Sequence, residues 1–282
     1  MANRIRKLEI HDRILSPAEA ELWVFLDAER IDERTEVRGR LTGPTCPYAD
    51  TVEVAYPLRR FPKAPEGFSP LLRRVVIPEP SFWDPVCPFL YRGVIELWQN
   101  EQLCERVEIR HGLRSTSLSP RGLFWNGELL TLKMLARSSG TRNELRRDHD
   151  HGINGFVLPG FEDELWSLAE ELGFAALGRT FEPDISFLKR TASPACLGWI
   201  IPAEAAAAWD DWQDWTAEVH RKRRIVGIEI EQTPRQPLRP EIDFVIVPGQ
   251  ADIPVDRPTL ARVPAGSFAQ GELGQLVIST NA

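Results

Sequence analysis

The sequence predicts two structural classes in one chain: an antiparallel β-sandwich over residues 1–120 and a shortened (β/α)8-type barrel over residues 121–282. Three observations predict this. Up to about residue 115 the chain is a series of short β-rich runs punctuated by Pro and Gly, the rhythm of a sandwich. Beyond residue 120, strand-like runs alternate with helical patterns, as parallel βα units require. Ala195–Ile201 is an uninterrupted uncharged run, the mark of a parallel strand covered on both faces.

In the first region the expected strands are Ile5–Ile10, Glu21–Leu26, Glu36–Leu41, Thr51–Tyr56, Leu72–Ile77, Leu90–Trp98 and Leu103–Arg110. Alternation is clearest in the last, where Val107 and Ile109 share one face and Arg106, Glu108 and Arg110 the other, so one face is expected to be wet.

In the second region Thr131–Ala136 is the expected first strand. Thr141 and Glu144 have the spacing of a capping box, and Gly152 falls where that helix should end. Ile153–Leu158 follows as the second strand. Phe161, Leu165, Leu168, Ala169 and Leu172 then recur at helical spacing before Gly173, and Ala175–Arg179 is the third strand. Asp184 is placed to cap a short helix. Pro194–Glu204 carries the fourth strand and ends in a carboxylate. Ala205–Arg223 reads as the longest helix, with Trp209, Trp212 and Val219 on or near one face. Ile225–Glu231, Ile242–Val247, Thr259–Val263 and Gln275–Ser279 complete eight strands, whose last connections are short for helices. About 150 residues for eight units falls well under the roughly 250 of a full barrel.

The 282 residues are 43% hydrophobic and 27% charged, which is enough apolar material for a sizeable core. A net charge of −7 opposes nucleic acid and anionic membrane as partners. The basic run Arg221–Arg224 suits the carboxyl end of a helix. Cys46, Cys87, Cys104 and Cys196 are far apart and contain no CxxC pair, so free thiols are expected rather than a metal site or a disulfide framework. Met1–Lys7 is not followed by an apolar segment, and a cytoplasmic location is the expectation.

Several stretches together resemble glycoside hydrolase family 2, the β-galactosidase and β-glucuronidase group. Phe82-Trp-Asp-Pro-Val-Cys-Pro-Phe-Leu-Tyr91 is similar to the family's Leu-Trp-Ser-Pro-Glu-x-Pro-x-Leu-Tyr element. Arg110-His-Gly-Leu-Arg114 resembles its Arg-Phe-Gly-Phe-Arg run, and Leu123-Phe-Trp-Asn-Gly127 its turn into the barrel. His151-Gly-Ile-Asn154 resembles the entry to the second strand, and Pro194–Glu204 the family's Pro-Ser-x-x-x-Trp-Ser-Leu-Gly-Asn-Glu, with Trp199 and Glu204 in place. The resemblance implies an immunoglobulin-like sandwich, a (β/α)8 barrel, no cofactor, and carbohydrate as ligand. It puts Glu204 at the acid/base position and makes Trp199, Asn154 and Arg262 candidate sugar contacts.

Retaining glycosidases need two carboxyl groups about 5 to 5.5 Å apart. The residue before Glu204, a sugar-contacting Asn in the family, is Ala203 here, after Pro202. No acid lies between Pro258 and Gly266, where the resemblance places the nucleophile. Phe156–Gly160 stands where the family has Arg-x-x-His. On the fifth strand, if Val226, Ile228 and Ile230 meet the helices, Glu229 and Glu231 face the barrel mouth and one could act with Glu204. Alternatively an incomplete barrel leaves this face wet, or Arg262 and Arg239 pair with those acids. Asp148-His-Asp-His151 has metal-ligand residue types, but neighbouring side chains on a helix diverge, so no metal site is expected. His220, among basic residues, suits neither a metal nor a general base. The expectation is a degenerate glycosidase without its nucleophile, serving carbohydrate binding or a scaffold role. The alternatives are an active glycosidase using Glu204 with Glu229 or Glu231, and a protein-interaction module working through exposed strand edges.

Overall fold

The computed structural model describes residues 3–61, 68–119, 122–159, 163–183, 192–231, 238–248, 259–264 and 277–280. The chain divides into two compact units, Met1–Trp83 with Phe89–Arg114, and Asp84–Pro88 with Ser115–Ala282.

The first unit contains β1 (Ile5–Ser16), β2 (Glu19–Ala28), β3 (Thr35–Thr45), β4 (Val54–Pro57), β5 (Arg59–Arg60), β6 (Arg73–Pro78), β7 (Leu90–Gln99) and β8 (Gln102–His111). They form two antiparallel sheets of order β1-β2-β6-β5 and β4-β3-β7-β8. Each of the seven expected strands is present, and Arg59–Arg60 adds a short eighth. The period-2 alternation of β2 turns Ala20, Leu22, Val24 and Leu26 inward, where they meet Val75 and Ile77 of β6 and Leu41, Tyr91, Ile95 and Leu97 of the other sheet. Ile109 packs on this core, as the alternation of β8 predicts. The outward face of β2 is less polar than a wet strand face. Trp23 meets Phe61 edge-on at 4.9 Å, Phe25 lies 5.6 Å from Phe68, and the Arg13 guanidinium covers Trp23 at 4.6 Å.

In the second unit β9 (Thr116–Ser119), β10 (Gly122–Trp125) and β11 (Glu128–Leu129) make a small antiparallel sheet that the strand reading of the sequence missed. Its hairpin turns on Asn126 (φ 51°) and Gly127 (φ 89°), the left-handed pair an Asn-Gly turn supplies at little cost. The barrel follows: β12 (Lys133–Ala136), α1 (Arg142–Asp150), β13 (Gly155–Pro159), α2 (Asp163–Leu172), β14 (Ala175–Arg179), β15 (Cys196–Pro202), α3 (Ala203–Ala207), α4 (Trp212–Arg221), β16 (Ile225–Glu229), β17 (Phe244–Pro248), β18 (Thr259–Pro264) and β19 (Val277–Thr280). All eight strands are parallel, and β19 pairs with β12, so the barrel closes. Among the described residues, helices cover only the β12–β13, β13–β14 and β15–β16 connections.

The capping box forms as expected. Thr141 accepts from the Glu144 amide, and the Glu144 carboxylate accepts from the Thr141 amide at 2.7 Å, which holds the Glu144 carboxyl below the usual range. The Asp184 helix lies outside the described residues. The single helix expected over Ala205–Arg223 is two, α3 and α4, broken at Ala208–Asp211. The break lets Trp209 turn inward, where it packs at 5.3 Å on Trp215 and donates through Nε1 to the Phe181 carbonyl at 3.1 Å. A continuous helix would not offer the indole both partners.

Trp199 on β15 decides which way the neighbouring strands face. Its fully buried indole lies 5.9 Å from Trp166 of α2 and 6.4 Å from Trp215 of α4, so it points outward to the helices. Gly178 on β14 leaves room for it, since a Cβ there would sit 2.3 Å from the ring. Trp199 is in register with Val226, which puts Val226 and Ile228 on the helix side and Gly227 and Glu229 on the lumen side. In the lumen Phe244 fills the space over Gly227. On the opposite rim, His220 of α4 bonds Asp243 at 2.9 Å, and the same carboxylate oxygen accepts from the Val226 amide at 2.7 Å.

Gly178→Ala is expected to destabilise the second unit by about 1–3 kcal/mol through overpacking against a ring that has nowhere to move, measured as a lowered urea midpoint of the helical circular dichroism signal. The hydrogen bond that the His220 ring donates to Asp243, reinforced by the charges of Asp243 and Glu241 and opposed by burial, raises the His220 pKa above the ordinary 6.5. A raised histidine contributes stability that is complete below the unfolded value and is lost as pH rises through the folded one. The urea midpoint should therefore fall as pH rises above about 6.5, and His220→Gln should remove that component of the slope.

Candidate functional site at the carboxyl end of the barrel

The strands deliver their last residues to one rim. β14 ends in Arg179, β15 in Pro202 with Glu204 in the first turn of α3, and β16 in Glu229. Pro202 is in register with Glu229, so Glu204 and Glu229 leave the barrel from adjacent strands.

The two carboxylates have different surroundings. Glu204 is exposed and makes no hydrogen bond or ion pair among the described residues. Glu229 retains 12% side-chain exposure, and its Oε2 accepts from Arg179 Nη2 at 2.6 Å. Such a charge-assisted bond is stronger at a partly desolvated rim than on open surface. Arg179 also lies 5.2 Å over the ring of Phe181, which is 59% exposed. The segment after β14 is held firmly. The Thr180 amide bonds Ile200 O at 3.1 Å, Thr180 Oγ1 donates to Glu182 O at 2.7 Å, and Trp209 grips the Phe181 carbonyl.

Glu229 thus pairs with Arg179, a cation that the sequence reading did not offer it. Arg239 stacks on Trp212 at 5.1 Å. Arg262 is on β18, opposite Pro248 and Ile278, and its side chain lies outside the described residues. Glu231 is exposed just beyond β16. Trp199 has no solvent-accessible surface, and its packing explains its place as a core residue between strand and helices. Asn154 precedes β13 at the amino end of the barrel, where Oδ1 accepts from the Lys133 amide at 2.7 Å and Nδ2 donates to Thr131 O at 2.8 Å. Its amide joins two strands at the rim opposite Glu204 and Glu229.

The Asp148–His151 run diverges. Asp148 pairs with Arg137 at 2.5 Å, His149 meets the Pro85 carbonyl at 3.3 Å, and His151 bonds Arg147 O at 2.5 Å. Among the described residues no three His, Cys, Asp or Glu side chains lie together as a metal site would need. None of the four cysteines forms a disulfide, and no described helix is long and apolar enough to cross a membrane. The sequence reading passed over Arg179 and Phe181, although Arg179 carries the signal that drew attention to Glu204: a charged residue at the end of an apolar strand.

The chain thus places an antiparallel sandwich ahead of a parallel barrel, with charged side chains gathered at the carboxyl ends of neighbouring strands. No family model and no curated protein matches the sequence. Solved structures do match. A β-glycosidase from Bacteroides vulgatus superposes with a TM-score of 0.65 at 17% identity, covering 88% of this chain and 36% of its own. An FMN-binding β-glucuronidase from Facaelibacterium prausnitzii L2-6 gives 0.62 at 17% identity, with 85% and 42% covered. A β-glucuronidase from Ruminococcus gnavus in complex with D-glucaro-d-lactam gives 0.60 at 13% identity, with 87% and 46% covered. The fold is thus similar to part of the fold of these glycosidases, the group whose motifs the sequence resembles, and the chain spans 36% to 46% of the length of these three.

Glu204→Gln should change stability by no more than about 0.5 kcal/mol, the range for exposed positions. Arg179→Ala should cost about 1–3 kcal/mol, because it removes a charge-assisted hydrogen bond from the partly buried Glu229 carboxylate. Urea denaturation of both variants at one pH checks the contrast.

Proposed function

We propose that this protein is a glycoside hydrolase-like protein that binds carbohydrate at the carboxyl end of its barrel without hydrolysing it. The observation that carries the reading is the state of the lumen-facing carboxylate. Glu229 is committed to an ion pair with Arg179, whereas Glu204 stands in solvent on a five-residue helix. A nucleophile needs a free carboxylate oxygen facing the anomeric carbon, and one oxygen of Glu229 is already held by Arg179. The sequence adds that Pro258–Gly266 contains no acid and that Ala203 stands where the resemblance expects a sugar-contacting Asn.

One observation favours an active enzyme instead: Glu229 faces the lumen on the strand beside the one that carries Glu204. The two readings separate in one experiment. Pure protein is incubated with a broad panel of aryl glycosides, and release of the aryl alcohol is followed for hours. The binding reading expects no turnover above buffer. Turnover that disappears in Glu204→Gln, with the variant still folded, would establish the glycosidase.

A further inference from the structure

We infer that this protein forms a twofold-symmetric dimer in which β8 pairs antiparallel with β8 of a second copy, centred on Val107 and held by two reciprocal ion pairs between Arg106 and Glu108. The surface lies on the sandwich and does not depend on what the barrel binds.

A strand at the end of a sheet leaves one row of backbone N–H and C=O groups without sheet partners, and a matching strand can satisfy them. Four strands end the two sheets of the sandwich. β4 and β5 are four and two residues long, and so short an edge is a poor template. β8 has ten residues and β1 twelve. β1 is nevertheless blunted. Its pairing with β2 is irregular at both ends, Asp12 lies opposite the core residue Leu22 and so carries a charge on the inner side, and Arg13 is engaged over Trp23. Irregularity and inward charge are devices that discourage edge pairing. β8 is regular where β1 is not. Its register with β7 runs unbroken from Tyr91 and His111 to Leu97 and Glu105, and the hairpin closes tightly on Asn100 and Glu101 at φ 49° and 62°. Its own inward acid, Glu105, is satisfied by accepting from the Ile5 amide at 2.6 Å.

The side chains of β8 select the partner. Arg106 and Glu108 are exposed on the outer face with no ion pair among the described residues, and Val107 between them is half-buried on the inner face. In an antiparallel copy the order Arg-Val-Glu is reversed, so pairing about Val107 sets each Arg106 opposite Glu108 of the other copy and brings the two Val107 side chains together. A twofold axis makes each ion pair occur twice. Opposite charges directly across an antiparallel pair attract and like charges repel, so the same residues fix the register. Centring the pair on Glu108 would oppose that acid to itself and Arg106 to Arg110. Centring it on Arg106 would oppose the two guanidinium groups.

The test is sedimentation equilibrium of the full chain from about 1 to about 200 μM, the range in which an interface of modest size should titrate, with every variant first checked for native circular dichroism. Wild type should approach twice the chain mass. Arg106→Glu leaves two acids on the edge and Glu108→Arg leaves two arginines, so each variant alone should dissociate about tenfold more readily. An equimolar mixture of the two opposes acid to arginine at both contacts and should recover the wild-type mass. Arg13→Glu, on the other long edge, should associate as wild type does. If a charge reversal fails to fold, Arg106→Gln takes its place and should weaken association about threefold. The inference is overturned by a wild type that stays monomeric throughout, by single variants that dimerise as wild type does, by a mixture of folded variants that stays monomeric, or by loss of association in Arg13→Glu.

Discussion

The barrel depends on one packing arrangement, the Trp199 indole seated over Gly178 and closed in by Trp166 and Trp215. A buried tryptophan contributes a large apolar area, and the dense interior around it tolerates one orientation only. Because side chains alternate along a strand, that orientation sets the facing of β15, and hydrogen-bonded register passes it to β14 and β16. Gly227 and Glu229 then face inward as a consequence. A reversal would turn Glu229 toward the helices and drive the indole into the lumen that Phe244 fills. The helix break at Ala208–Asp211 belongs to the same arrangement, since it carries Trp209 into the cluster and ties the Phe181 backbone to it.

The rim at the carboxyl end of the strands is an outgrowth of this core. Glu229 at the lumen edge has lost most of its water, and Arg179 compensates by direct hydrogen bonding. Glu204 emerges one strand away but after the chain has turned into α3, where solvent surrounds it. Two carboxylates that look interchangeable in the sequence are thereby assigned unlike surroundings. Phe181 and Arg179 share a rigid segment whose anchor, Trp209, is part of the tryptophan cluster, so the rim inherits its order from the core beneath it.

Much of the fold was legible from residue patterns. The seven sandwich strands follow from alternation and from Pro and Gly punctuation. The Thr141–Glu144 capping box and the Ala175–Arg179 strand also appear where local chemistry places them. Less was legible where the governing contact is distant in sequence. The expected single helix over Ala205–Arg223 broke because Trp209 has a partner at Phe181, 28 positions away. The short β9–β11 sheet is not legible in the sequence because its strands span only two to four residues and its one clear signal, Asn126-Gly127, specifies a turn without specifying what it joins.

The candidate site divides in the same way. Sequence by itself determined that residues with acid chemistry end the fourth and fifth strands, that the stretch from Pro258 to Gly266 has no acid, and that the motifs resemble those of one glycosidase group. Those are statements about residue types in order along a chain, and order is what a sequence contains. Only the tertiary structure decided that Trp199 is core, that Asn154 serves the opposite rim, and that Glu229 is bound to Arg179, which lies 50 positions earlier. An ion pair across three neighbouring strands depends on register, facing and burial together, and these are settled only when the barrel closes and each side chain meets its actual neighbours.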